Sequence, residues 1–364
     1  MIKICIISEL SGGGVEQVNK TLAVSLDKKK FDVEIISLVT SADQWQGKLQ
    51  FKCHFLEANS KKKTVVKLIN LLRIIHPDFI CTSCLVETYF CYLYKQFYDK
   101  KSKVIYTEHD VWSKTTCGSK KKVLLNGWLP RITKIFERLD GIVFVSKGVQ
   151  KDFFSCFPKL KTPTYCIYNP SVSNEGFEYK DIHKNLIKLV TVGRLETVKR
   201  QSDILKAVKI LLDKGYNVVL DIFGKGEEEV NLKRISSELG IINNVVFRGF
   251  ATNLKEELRN EDIFILSSNW EAFGMVLVEA MNCGLPVVST DCPVGPAEIL
   301  ENGKFGILVP VGDPCSLAEG IIKTINDHCY EKIASAYNRS LDFSINESKK
   351  NYESMFLGMI ERDE

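Results

Sequence analysis

Short unbroken apolar runs alternate with helically spaced segments along the whole 364-residue chain, and nothing else in the sequence restricts its fold as much. In the first half, Ile2–Ser8, Phe31–Leu38, Lys52–Leu56, Asp78–Cys81, Lys103–Thr107, Gly141–Ser146 and Thr164–Ile167 read as strands. Helical spacing follows the first of them over Val15–Leu26. The second half repeats the pattern at Leu186–Val192, Asn217–Phe223, Val245–Phe247, Asp262–Leu266, Pro286–Ser289 and Gly306–Val309. Its helices are expected at Arg200–Lys214, Glu227–Leu239, Met275–Asn282, Pro314–Asn326 and Ile345–Glu361. Continuous apolar strands separated by helices mean parallel sheets covered on both faces. The length fits two such domains. The polar stretch after Asn169-Pro170-Ser171 puts the boundary between residues 170 and 171. Two doubly wound domains imply a ligand cleft at the carboxyl ends of their strands. That is a statement about architecture, not about which reaction occurs.

Charge divides along the same boundary. Residues 1–170 carry a net +12 and the remainder a net −8, within an overall +4. A basic first domain suits an anionic partner, such as a phosphate-bearing substrate or an anionic lipid surface. The lysine clusters match no nucleic-acid-binding motif, so nucleic acid is not an expected partner. The twelve cysteines lie mostly in apolar runs and form no disulfide framework. Cys81-Thr-Ser-Cys84 is a lone C-x-x-C without a second pair, so no metal is expected there. No apolar run reaches 18 residues, so no transmembrane helix is expected. The chain opens directly on a strand pattern, and the expectation is a cytoplasmic protein without a signal peptide.

Several motifs fall at strand ends. Gly12-Gly13-Gly14 separates the first strand from its helix, where glycine lets an anion approach free backbone N–H groups. Gly193-Arg194-Leu195 ends the first strand of the second half, with Lys199 and Arg200 before the next helix. Acidic residues are the usual choice at a helix start, so these cations point to a bound diphosphate. Phe223-Gly224-Lys225-Gly226 closes the next strand, and it lacks the continuation of a dinucleotide fingerprint. The most informative string runs from Glu271 through Phe273, Gly274, Met275 and Val276 to Glu279, and on to Gly284-Leu285-Pro286-Val287. Glu279 is placed about two turns into a helix among apolar neighbours, where ribose hydroxyls would satisfy it. The N–H groups of Gly274, Met275 and Val276 would face phosphate or sugar oxygens.

This string resembles the signature of the family 4 retaining glycosyltransferases, which have the GT-B fold. The glycine loop, His109, Gly193-Arg194-Leu195 with Lys199, and Phe223-Gly224-x-Gly226 match in the family's order, over essentially the whole chain. The resemblance implies two Rossmann-like domains facing a central cleft, over residues 1–170 and 171–343. It also implies a C-terminal helix, residues 344–364, packing back on the first. It implies transfer of a hexose or N-acetylhexosamine from a nucleotide diphosphate donor, with uridine as the base, to a glycan or polyprenyl-diphosphate-linked acceptor. Val294-Gly295-Pro296-Ala297-Glu298 resembles a stretch of members that build bacterial surface polysaccharides such as lipopolysaccharide or capsule.

By the same resemblance, Arg194 and Lys199 neutralise the leaving diphosphate, Glu279 holds the ribose and Glu271 holds the transferred sugar. Gly224 and the residues around Arg248 line the nucleotide, Gly13 and Gly14 face its phosphates, and His109 contacts the sugar. No cofactor is implied, and no divalent metal is expected; the chain has no D-x-D triplet. Lys120, Lys121, Lys122 and Trp128 suggest an interfacial segment resting on the anionic inner face of the cytoplasmic membrane. Competing readings are a sugar-nucleotide epimerase of the same architecture and a non-catalytic scaffold that binds a sugar nucleotide.

Overall fold

The computed structural model describes residues 1–9, 13–38, 50–57, 60–115, 131–182 and 185–362. Residues Met1–Pro170 with Ile345–Glu364 form one compact unit, and Ser171–Ser344 the other.

The first unit holds β1 (Ile2–Ser8), β2 (Phe31–Ser37), β3 (Lys52–Phe55), β4 (Phe79–Thr82), β5 (Lys103–Glu108), β6 (Gly141–Phe144) and β7 (Thr164–Cys166). They lie in the order β3-β2-β1-β4-β5-β6-β7. Every recorded pairing is parallel. The second unit holds β8 (Ile187–Val192), β9 (Val218–Phe223), β10 (Val245–Gly249), β11 (Ile263–Leu266), β12 (Val287–Thr290) and β13 (Ile307–Val309). Their order is β10-β9-β8-β11-β12-β13, again parallel.

These are the strands expected from the apolar runs, each within two residues at either end. Burial on both faces is what makes such strands read as continuous apolar segments. Ile4, Ile7, Ile35, Ile80, Leu189, Leu220 and Ile265 are wholly buried. In the second unit, the helix Gln201–Asp213 packs Leu205, Val208 and Leu211 against β8 and β9, and Leu317 and Ile321 come from Pro314–Asn326.

In the first unit, the helix Ile345–Glu361 returns to the sheet. Tyr352, Met355, Phe356 and Met359 join one core with Ile4, Phe31 and Phe79. The Phe356 ring stands 4.8 Å from that of Phe79 and 6.0 Å from that of Phe31.

In each sheet the strand order reverses once, between β1 and β4 and between β8 and β11. Loops at the carboxyl ends of those two strands diverge there and leave room for a ligand.

Candidate active site

In the second unit, the loops after β8 and β9 run backbone against backbone. Gly193 N–H donates to the Phe223 carbonyl at 3.0 Å, Leu195 N–H to that of Lys225 at 3.0 Å, and Gly224 N–H to that of Gly249 at 2.7 Å. A Cβ on Gly224 would stand 1.8 Å from the Gly193 carbonyl oxygen, and one on Gly226 would stand 2.2 Å from that of Leu195. Close approach of two strand ends therefore accounts for both glycines.

Lys199 ends the short turn Thr197–Lys199, just past β8. Its ammonium donates to Glu271 Oε1 at 2.6 Å, and the Ser268 hydroxyl donates to the same oxygen at 2.6 Å. Only 18% of the lysine side chain and 10% of the glutamate side chain are exposed. The loop after β11 is strapped to this turn. Ser267 Oγ donates to the Lys199 carbonyl at 2.7 Å, Asn269 N–H to that of Val198 at 2.8 Å, and Thr290 Oγ1 to that of Ser268 at 2.8 Å. The pair thus sits at the β8/β11 reversal, held from three strands. Glu271 Oε2 has no partner among the described residues.

Gly274 takes a left-handed conformation (φ 102°) and turns the chain into the helix Met275–Asn282, whose start carries no side-chain cap. Its first backbone N–H groups are those that α-helical geometry leaves without intrahelical acceptors. The helix begins at Met275, so Glu279 is its fifth residue and lies a little over one turn in, not two. Glu279 is half-buried and its carboxylate makes no hydrogen bond or ion pair among the described residues. Burial alone pushes its carboxyl up to about 7. Met275 and Val276 are half-buried beside it.

Other expected contacts are placed differently. The Phe273 ring is core, packed edge-on against Phe343 at 5.3 Å, so that residue offers a ligand only its backbone. Arg194 is 73% exposed on its side chain and pairs with Glu196 at 2.6 Å. Arg248 donates through Nε to Asp221 Oδ2 at 2.7 Å, from β10 to β9, and leaves 49% of its side chain exposed. Beside it, the Phe250 ring is 68% exposed.

In the first unit, Gly13 precedes the uncapped start of the helix Gly14–Ser25, beyond the carboxyl end of β1. His109 follows β5. Its Nε2 is buried with no hydrogen-bond partner among the described residues, and burial pulls the imidazole down to about 4, so it is neutral at ordinary pH. Gly12, Lys120, Lys121, Lys122 and Trp128 lie outside the described residues.

The sequence reading missed Ser267, Ser268, Gln201 and Thr290, the residues that strap the site together. Gln201 Nε2 donates to the Arg194 carbonyl at 3.0 Å. Small hydroxyl residues directly after a buried strand are the only signal available for the two serines. It also missed Glu108 and Trp112, which bond beside His109.

Fold and site together define a glycosyltransferase built on two Rossmann-like units. Residues 12–170 match the family model described as Glycosyltransferase Family 4, and residues 174–340 match that of the Glycosyl transferases group 1. The chain belongs to the family 4 glycosyltransferases of the GT-B fold. It is 25% identical, over 91% of each chain, to the N-acetylgalactosamine-N,N'-diacetylbacillosaminyl-diphospho-undecaprenol 4-alpha-N-acetylgalactosaminyltransferase of Campylobacter jejuni. A glycosyltransferase of Methanocaldococcus jannaschii is 29% identical over 62% of this chain and 66% of its own length. Among solved structures, HepE of Anabaena in complex with UDP-glucose superposes with a TM-score of 0.79 at 20% identity, covering 98% of this chain and 100% of that one.

Proposed function

We propose that this enzyme transfers a hexose or N-acetylhexosamine from a UDP-linked donor, with retention at the anomeric carbon and without a divalent metal. The acceptor is a glycan or polyprenyl-diphosphate-linked sugar of bacterial surface-polysaccharide synthesis. One observation carries the reading: the Lys199–Glu271–Ser268 cluster lies one glycine turn from the uncapped helix that bears the unpartnered Glu279. Cation and free amides offer charge to a diphosphate, and the two carboxylates offer acceptors to sugar and ribose hydroxyls.

In the reaction, the bond from the anomeric carbon to the diphosphate oxygen breaks and its electron pair leaves with the nucleoside diphosphate. The acceptor oxygen bonds to the same face of that carbon, and its proton passes to the departing phosphate. Lys199 and the helix amides supply the charge stabilisation that a metal gives elsewhere. Two similarities support donor and acceptor. HepE was solved with UDP and UDP-glucose, and the Campylobacter relative is named for a diphospho-undecaprenol-linked acceptor. By resemblance, His109 is assigned to the transferred sugar, and Lys120–Lys122 with Trp128 to an anionic membrane surface.

A panel of nucleotide sugars with EDTA present, with and without lipid-diphosphate sugars, tests the reading. Acceptor-dependent release of nucleoside diphosphate from one donor is expected, falling ~100- to 1,000-fold in Lys199→Ala. Acceptor-independent conversion of the donor to an isomer would replace transfer with epimerisation. Loss of activity in EDTA, restored by a divalent cation, would overturn metal independence. In the same preparation, charge reversal at Lys120–Lys122 is expected to release the protein from anionic vesicles, and unchanged sedimentation would remove the membrane assignment.

A further inference from the structure

Glu108 is the last residue of β5 and is 2% exposed, yet its carboxylate is fully engaged. Oε1 accepts from the Asp110 backbone N–H at 2.8 Å. Oε2 accepts from the Tyr106 hydroxyl at 3.1 Å and from the indole N–H of Trp112. The Trp112 ring is itself fixed, edge-on to Phe157, Phe153 and Phe136 at centroid distances of 5.0, 5.8 and 6.0 Å. Together these bonds fix the backbone on both sides of His109: residue 108 by the strand, residues 110 and 112 by one buried carboxylate. The imidazole between them holds its Nε2 buried and unpartnered among the described residues. With no hydrogen bond at Nε2 to hold the ring, its place depends on the backbone that carries it.

We infer that Glu108 is the positioning residue for His109: its three-point acceptor network sets the imidazole's place beyond the carboxyl end of β5. The inference rests on the proposed role of His109 in transfer, but the geometric part stands separately. The titratable groups facing Glu108 are Tyr106 on its own strand and Asp110 on the following loop; Trp112 from the next turn is a neutral donor. Burial is the main reason that the Glu108 carboxyl stands at about 7; the bonds from Trp112, the Asp110 amide and Tyr106 oppose the rise, and the Asp110 charge adds to it. Protonation in that range removes acceptor capacity that the network uses.

Glu108→Gln separates the bonds. The amide oxygen can serve Tyr106 and Trp112, while the amide NH2 then meets the Asp110 N–H, donor against donor. Trp112→Phe removes the other anchor and leaves the carboxylate in place. The first readout needs no substrate: carbethoxylation of His109 by diethyl pyrocarbonate, mapped by mass spectrometry, with His76 as internal control. His109 is expected to react at least about tenfold faster in Glu108→Gln, with His76 unchanged and the melting curve still cooperative. An unchanged His109 rate in both variants overturns the inference, whatever the activity. The second readout is kinetic. In Glu108→Gln, kcat falls ~100-fold with donor KM held within about twofold, the scale set by a misplacement of about 1 Å. The acid limb of kcat near pH 7 disappears in that variant. Equal losses in Tm, KM and kcat would mark Glu108 as structural only and overturn the inference. Faster His109 modification in a protein whose wild type turns over no donor would keep the positioning and overturn the transferase reading.

Discussion

Glu279 bears on stability as well as on the proposed donor contact. An ordinary glutamate titrates near 4.5, and burial lifts this one to about 7. Between those values the unfolded chain is ionised while the folded protein still holds the proton. Stability therefore falls as pH rises through that window and is lowest above pH 7, where the fold carries a half-buried charge with no partner. Glu279→Gln removes that charge. Its melting temperature is expected to match the wild type near pH 4.5 and to exceed it at pH 8, while affinity for the nucleotide donor falls. A variant no more stable than wild type at pH 8 would show that something in the fold already satisfies the carboxylate. The donor should narrow the gap in the wild type, because hydroxyls bound to Glu279 favour its ionised form.

At the scale of elements, the loops that join strand to helix carry the proposed site residues, and their backbones are the less adaptable part. Gly224 has φ 137°, and a Cβ there would lie 1.8 Å from the Gly193 carbonyl oxygen. Gly224→Ala must push apart the ends of β8 and β9, and a loss of at least about 3 kcal/mol in urea unfolding is expected. A loss under about 1 kcal/mol would mean that the two loops separate readily.

The central strands were legible because burial on both faces leaves a continuous apolar run, as in β1, β5 and β11, whereas the edge strands β3, β7 and β10 are only partly buried. Helices with strong apolar spacing, such as Met275–Asn282 and Pro314–Asn326, were legible to the residue. Leu254–Arg259 and Tyr330–Ser340 were not read at all. The first is under two turns long. The second is polar over most of its length, yet its buried Ile333, Ala336, Tyr337 and Ser340 fall at i, i+3, i+4 and i+7, a helical spacing that was present in the sequence and passed over. The Lys199–Glu271 pair shows a different limit. Each residue stood out for its place beside a strand end, but their meeting across 72 positions, and the serines that secure it, belong to tertiary structure.

On the scale of the whole molecule, the chain passes from one unit to the other twice. The two connections run side by side, with Ser171 N–H donating to the Phe343 carbonyl at 3.1 Å and Val172 bridging to Ser344. The second passage delivers the helix Ile345–Glu361 to the core beneath β1 and β4. Removing that helix uncovers Ile4, Phe31 and Phe79 and takes from the last two their ring contact with Phe356. Deletion after Ser344 is expected to unfold the first unit while Ser171–Ser344 keeps its protection in hydrogen exchange. Equal loss of protection in both units would show that the helix stabilises the whole chain rather than one core.

The same passage fixes an order of events during synthesis. Domains made on the ribosome usually fold from the amino end. Here the second unit is contiguous and complete once residue 344 has emerged, whereas the first waits for residues made after it. The unit that begins before the other is finished after it. Throughout that interval the face of β1 and β4 that Phe356 later covers stays bare, and it is there that a nascent-chain chaperone would find its purchase.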